Sequence, residues 1–303
     1  MDRLFGRVLS ATLLGALFFA VTAAGQDCAP TASNGGPYCP GSTISLFATS
    51  PDPNATFSWT GPNDFKSSEQ NPTIPNADET NAGTYTVSVD GCTSPPASTT
   101  VTVGTPPSTI TGTPVWVTAS SIGNTASGPA AVGSYSWKID NGTITAGADA
   151  QDVTYTAGSA GTLTLTLTTT WDNKACSSTS SQTVEVDPQP TITIGDVQHA
   201  EGNSGYTAFN FPVKLSNPSS QKVTVQYYTS NSTALAGSDY VAVPLMMLTF
   251  NPVIDPTTKY VTVQVIGDTK KENNELFGVI IINPTNATLA AKVKGWGYIL
   301  NDD

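Results

Sequence analysis

Along most of the sequence, apolar residues alternate with threonine, serine or asparagine. Tyr85, Val87 and Val89 are interleaved with Thr84, Thr86 and Ser88, and Leu163, Leu165 and Leu167 with Thr162, Thr164 and Thr166. The alternation recurs at Phe209-Asn210-Phe211-Pro212-Val213-Lys214-Leu215, at Val223-Thr224-Val225-Gln226-Tyr227 and at Val261-Thr262-Val263-Gln264-Val265, with a further apolar run at Phe277-Gly278-Val279-Ile280-Ile281. A period of two sends successive side chains to opposite faces of a strand, so these runs predict strands with one buried face. No segment after the N-terminus has the apolar spacing of a helix. Proline-rich joints at Gly104-Thr105-Pro106-Pro107 and Asp187-Pro188-Gln189-Pro190 interrupt the pattern. Proline cannot donate to a ladder, which makes these positions linkers. The expected fold is all-β: three tandem β-sandwich domains at 27–104, 108–187 and 190–303.

The first two sections read as repeats. Phe57-Ser58-Trp59 has a counterpart in Tyr135-Ser136-Trp137, and Gly83-Thr84-Tyr85 in Gly161-Thr162-Leu163; both offsets are 78, from 137 − 59 and 161 − 83. A tryptophan on a middle strand is the usual anchor of a small sandwich core, which outweighs a role for Trp59 or Trp137 as a sugar-stacking platform. Asn81-Ala82-Gly83-Thr84-Tyr85 resembles the approach to an immunoglobulin tyrosine corner. Both sections are similar to bacterial immunoglobulin-like or PKD-like modules, although Val87 and Leu163 depart from the immunoglobulin pattern.

Composition bounds the function classes. Charged residues make up 12% of the chain and the net charge is −11. Such a surface is repelled by phosphate backbones and by anionic lipid, so a nucleic-acid partner is not expected. Arg3 and Arg7 precede an apolar run, Val8 to Val21, that ends in Thr22-Ala23-Ala24-Gly25. This has the layout of a Sec-type signal peptide spanning 1–24, and it is short for a membrane span of about 20 residues. The expected protein is therefore secreted or held at a cell surface, with no membrane span after cleavage. Four cysteines, Cys28, Cys39, Cys92 and Cys176, are expected to form disulfides in an oxidising compartment. Cys39 and Cys92 flank candidate strands of the first section and are the expected pair; Cys28 and Cys176 are left to pair with each other or stay free.

The third section carries the candidate chemistry. Its acids gather at strand ends and in loops: Glu201, Asp239, Asp268, Glu272, Glu275, Asp302 and Asp303. Calcium takes about 6–8 oxygen ligands, and loops meeting at one end of a sandwich can supply them. The section resembles the Calx-beta domain. The resemblance runs in order through Glu201-Gly202-Asn203-Ser204-Gly205, Leu215-Ser216-Asn217-Pro218, Thr233-Ala234, Ala236-Gly237-Ser238-Asp239-Tyr240 and Leu248-Thr249-Phe250. It continues through Gly267-Asp268-Thr269, Glu272 with Glu275 and Phe277, and Asn301-Asp302-Asp303. It implies calcium ligands at Glu201, Asp239, Asp268, Glu272, Asp302 and Asp303, with Glu275 a further acid beside the site. Asn274 and Asn301 stand where the exchanger version has acids, which implies one or two ions.

Enzyme readings fare poorly. His199 is the single histidine, Gly202-Asn203-Ser204-Gly205 lacks nucleophile-elbow spacing, and metal ligation explains Glu272 and Glu275 better than a glycosidase pair. The expected function is a non-catalytic, calcium-binding adhesion, matrix or cell-communication protein that meets a protein or glycan surface. The alternative is a spacer or carbohydrate-binding portion of a larger secreted system.

Overall fold

A computed structural model describes residues 28–130, 132–171 and 176–303. The signal peptide expected at 1–24 lies outside them. The chain divides into two compact units, 1–104 and 105–303.

The first unit is a sandwich of two antiparallel sheets. Its strands are β1 (Thr31–Asn34), β2 (Ile44–Thr49), β3 (Phe57–Gly61), β4 (Phe65–Ser67), β5 (Thr73–Ile74), β6 (Gly83–Val89) and β7 (Ala97–Val101), in sheets ordered β1-β2-β5 and β4-β3-β6-β7. Trp59 and Tyr85 are both fully buried. The Trp59 indole N–H donates to the Gln70 carbonyl at 3.2 Å and the Tyr85 hydroxyl to the Asn81 carbonyl at 2.9 Å. Each large ring thus enters the core with its polar atom satisfied.

The cysteine pairing differs from the sequence expectation. Cys92 bonds Cys28, not Cys39, and no described cysteine is free. Cys39 sits beside Ser42 and Ala77, at the end of the sandwich where β6 begins: Gly41 N–H donates to Ala77 O, and Tyr38 bridges Val103. Cys92 lies beyond the other end of β6, roughly 20 Å away at strand rise. A disulfide requires Cα atoms within about 7 Å. Cys28 leads into β1, whose Thr31 pairs with Thr49 at the Cys92 end.

The second unit contains two cores. The first is built from β8 (Trp116–Thr118), β9 (Asn124–Ser127), β10 (Ser134–Asp140), β11 (Gly142–Ala146), β12 (Asp152–Ala157), β13 (Gly161–Thr170) and β14 (Ser177–Asp187), in sheets β10-β13-β14-β8 and β11-β12-β9. Trp137 is buried, and its indole N–H donates to Ala150 O at 2.9 Å. Neither Trp59 nor Trp137 is therefore available as a stacking platform. The repeat is displaced by one pleat: Trp59 pairs with Val87, whereas Trp137 pairs with Leu167 rather than Leu165.

The second core is built from β15 (Thr191–Ile194), β16 (Val197–Ala200), β17 (Gly205–Leu215), β18 (Val223–Ser230), β19 (Met246–Phe250), β20 (Thr258–Gly267), β21 (Glu275–Thr285), β22 (Thr288–Leu289) and β23 (Lys294–Leu300). Its sheets are ordered β20-β17-β15-β22 and β16-β23-β21-β18-β19. The chain changes sheet between β15 and β16 at Gly195, where a Cβ would lie 2.6 Å from Pro212. That crossing carries β16 along β23 and delivers Glu201 to one end of the sandwich. The opposite end meets the neighbouring sandwich of the same unit. There Thr118 N–H donates to Ser220 Oγ and Ser220 N–H donates to Thr118 Oγ1, both at 2.8 Å. The length of β17 separates the two ends by roughly 34 Å at strand rise.

Candidate metal centre

The loops at 201–204, 231–245 and 268–274 and residues 301–303 meet at the Glu201 end, beside the ends of β16, β18, β20 and β23 and the starts of β17 and β21. The loop between β18 and β19 is closed by its own backbone: Gly237 N–H donates to Tyr240 O at 2.9 Å, with Gly237 at φ +92°, and Asp239 N–H donates to Leu235 O at 3.0 Å. Asp239 Oδ2 accepts from Leu235 N–H at 2.6 Å. Tyr240 pins this loop to the core. Its ring stacks on Phe277 with centroids 4.4 Å apart, and its hydroxyl donates to Asn231 Oδ1 at 2.6 Å. The same loop is fastened to the start of β21, because Leu276 N–H donates to Thr233 Oγ1 and Ala234 N–H to Leu276 O. Asp239 and Glu275 are each held close to one member of the Tyr240–Phe277 stack, and this brings them together.

Carboxylate oxygens of Asp239, Glu272 and Glu275 lie within 4.8 Å of one another. Burial pushes the Glu275 carboxyl up to about 7, and the charges of Asp239, Glu272 and Glu201 add to the effect. Glu201, only 6% exposed, is pushed up as well; burial is the main cause, followed among the raising influences by the charges of Asp268, Glu272 and Asp302. Like charges gathered in a partly buried site disfavour one another until a cation neutralises them.

The other acids lie around this group. Glu201 N–H donates to Leu300 O, and Glu201 Oε1 accepts from Asn301 Nδ2 at 3.1 Å. Asp268 accepts from Lys270 N–H at 2.7 Å, and Asp302 from Gly202 N–H at 3.1 Å. Asp303 accepts from Asn203. The tight trio thus draws Asp239 and Glu272 from the six expected ligands and adds Glu275. Glu201 acts on the trio through its charge, and Asp268 and Asp302 act on Glu201 in turn. Glu275 was legible as an acid beside the site; its membership of the trio depends on the Tyr240–Phe277 anchor, which no local pattern reveals.

Lys270 was not anticipated. Its ammonium contacts Glu272, the first cause of its raised pKa, and its carbonyl accepts from Asn301 Nδ2 at 3.2 Å. One side chain, Asn301, therefore links Glu201 to the Lys270 loop. His199, considered for catalysis, lies on β16 with its ring edge-on to Phe209 at 5.4 Å.

The donor set suits a hard cation. It is made of carboxylate oxygens, and oxygens up to about 5 Å apart can share one calcium at 2.3–2.6 Å each.

Residues 187–295 match the Calx-beta domain. Solved structures similar to the chain include the apo-form Calx CBD1 domain, at 27% identity over 38% of this chain and 98% of that one, with a TM-score of 0.34. The calcium binding domain CBD12 of CALX1.1 is 28% identical over 37% of this chain and 46% of its own length, with a TM-score of 0.33. Three N-terminal domains of the bacteriophage RB49 highly immunogenic outer capsid protein align with 90% of this chain and 99% of theirs, at 14% identity and a TM-score of 0.43. No curated protein matches the chain.

The Calx-beta module leaves no room at Gly267, the last residue of β20. A Cβ there would sit 2.0 Å from Gly202 O and 2.8 Å from Glu201 O, both backbone atoms. Gly267→Ala is expected to push the Glu201–Gly202 loop away and weaken any metal binding at least tenfold, with destabilisation of about 1–3 kcal/mol from overpacking. Calorimetric titration beside a urea melt checks both; unchanged binding would mean the loop is not part of the site.

Proposed function

We propose that this is an exported, non-catalytic modular protein whose Calx-beta module binds calcium at Asp239, Glu272 and Glu275. Glu201, Asp268, Asp302 and Asp303 supply further oxygens or negative potential, for one or two ions in all. The observation that carries this reading is the trio of carboxylates within 4.8 Å, with Glu275 pushed up to about 7. Such a cluster is electrostatically costly without a cation. The match of residues 187–295 to the Calx-beta domain supports the choice of calcium.

The domain boundaries belong to the same proposal: a signal peptide at 1–24, immunoglobulin-like or PKD-like sandwiches at 27–104 and 108–187, and the Calx-beta module at 190–303. The buried Trp59 and Trp137 and the Tyr85–Asn81 hydrogen bond support the immunoglobulin-like reading. Disulfides support an oxidising, extracellular setting. Among the described residues no helix is long and apolar enough to cross a membrane. The role we infer is adhesion, matrix assembly or cell communication, with calcium ordering the tip of the module remote from its joint with the second sandwich.

Calcium titration of the chain from Gln26 onward, by calorimetry and by melting in chelator and in calcium, tests the site. A ligand that binds only the folded state stabilises it by about 2.7 kcal/mol at a hundred times its Kd. Extracellular modules of this kind work at about 10⁻⁴–10⁻³ M. A melting temperature that rises with calcium and no longer rises in Asp239→Ala is the expected result. No heat and no stabilisation at millimolar calcium would reduce the Calx-beta match to architecture.

A further inference from the structure

Among the described residues, Lys270 is the basic residue that pairs with an acid of the cluster. Its ammonium contacts Glu272, a member of the close trio, and the charges of Asp268 and Asp239 act on it as well. The root of the side chain is fixed. Lys270 N–H donates to Asp268 Oδ1 at 2.7 Å, and Lys270 O accepts from Asn301 Nδ2 at 3.2 Å. Asn301 Nδ2 also donates to Glu201 Oε1 at 3.1 Å. The backbone at 270 is thus tied to Asp268 and, through Asn301, to Glu201. The side chain itself is 74% exposed, against 24% for Glu272. A long, exposed side chain on an anchored root can leave its carboxylate without any rearrangement of the loop. The next residue, Lys271, is exposed too and pairs with none of the described acids.

We propose that Lys270 is a built-in counter-ion that competes with calcium for Glu272 and so sets the affinity of the site, a role that rests on the calcium reading of these residues. Without metal, the ammonium offsets part of the repulsion among the carboxylates. A divalent ion held by the trio needs the Glu272 oxygens that Lys270 contacts, and it repels a second cation beside it. Binding therefore breaks the Lys270–Glu272 pair. A contact made only in the metal-free state lowers the apparent affinity by the fraction of molecules it holds. The competitor is attached two residues from Glu272, so its local concentration does not fall on dilution. An exposed ion pair is weak, which leaves the site open to calcium while raising the concentration at which it fills.

Calorimetric calcium titration of the chain from Gln26 onward compares the wild type with Lys270→Met, Lys270→Arg and Lys271→Met. It is run at about 0.15 M salt, where exposed charges more than about 8 Å apart are largely screened. Lys270→Met is expected to bind calcium about two- to fivefold more tightly than the wild type and than Lys271→Met, the range an exposed ion pair represents. Lys270→Arg keeps the charge and is expected to keep the wild-type affinity. In chelator the effect is reversed: Lys270→Met should melt below Lys271→Met, because the acids have lost their counter-charge. A purely structural role for Lys270 would lower stability and affinity together. Acetylation of lysine amines, read by mass spectrometry, follows the side chain itself, and calcium is expected to raise labelling of Lys270 relative to Lys271. Equal affinities for Lys270→Met and Lys271→Met, or labelling that ignores calcium, would overturn the proposal and leave the calcium reading standing. No binding by any of the four proteins would overturn both.

Discussion

Glu275→Gln is expected to act in opposite directions on the metal-free and calcium-bound protein. Without metal, the variant melts higher than the wild type at neutral pH; with calcium, it loses most of the stabilisation the wild type gains. The reason is the position of Glu275 at the start of β21, where burial and the charges of Asp239, Glu272 and Glu201 raise its carboxyl from the ordinary 4.5 to about 7. A carboxyl raised on folding binds its proton more tightly folded than unfolded. Its contribution to stability is therefore present below 4.5 and is lost as pH rises through about 7. In chelator, wild-type stability should fall across that window relative to the variant, whose amide does not titrate. Calcium reverses the sign, because it demands the carboxylate. Binding should weaken as pH falls below about 7 and should release protons, visible as a binding heat that depends on the ionisation enthalpy of the buffer. Melting curves from pH 5 to pH 8, with calcium and with chelator, measure all of this. Superimposable curves for the two proteins under both conditions would remove Glu275 from the site.

Phe277→Ala is expected to be the most destabilising single substitution in the Calx-beta module, at about 3–5 kcal/mol. Phe277 is fully buried, stacked on Tyr240 and in contact with Phe209 and Phe211 at centroid distances of 5.9 and 5.7 Å. Its ring also occupies the space where a side chain at position 297 would go: a Cβ on Gly297 would lie 2.7 Å from the ring. Alanine there leaves a cavity between the two sheets, which close-packed neighbours fill only in part. The effect should extend to the metal site, since the Tyr240–Phe277 stack holds the Asp239 loop against the start of β21. Urea unfolding followed by Trp296 fluorescence, together with calcium titration of the fraction still folded, measures both effects. A loss below about 1 kcal/mol, or calcium affinity unchanged in the folded variant, would show that the stack does not couple core to site.

The legible parts of this chain are those that depend on local repetition. Alternation in β6, β13, β17 and β20 identified the strands and their buried faces, because the pleat has a period of two wherever a sheet has one wet face. The two tryptophans were correctly assigned to cores. Strand count was less legible: four runs of the third section read as strands, whereas the structure has nine there. Short pieces such as β16 and β22 exist through parallel pairing with β23 and β15, and nothing in four or fewer residues announces that partnership.

Pairings between distant residues needed the tertiary structure. Residue spacing made Cys39 the expected partner of Cys92; the strand register puts Cys28 at the right end of the sandwich and Cys39 at the wrong one. The acids at 201, 239, 268, 272, 275 and 302 could be read as one family of loop residues, but their distances could not. The Tyr240–Phe277 stack holds the Asp239 loop beside the start of β21 and Glu275, and Lys270 joined Glu272 through a contact with no periodic signature. By itself, the sequence determined that the chain is all-β and strongly anionic, with its acids in the turns of the last module, because these follow from residue type and spacing. Which acids meet, which cysteines bond and which strand edge stays open were decided only by packing, because each depends on the register between segments far apart in the chain.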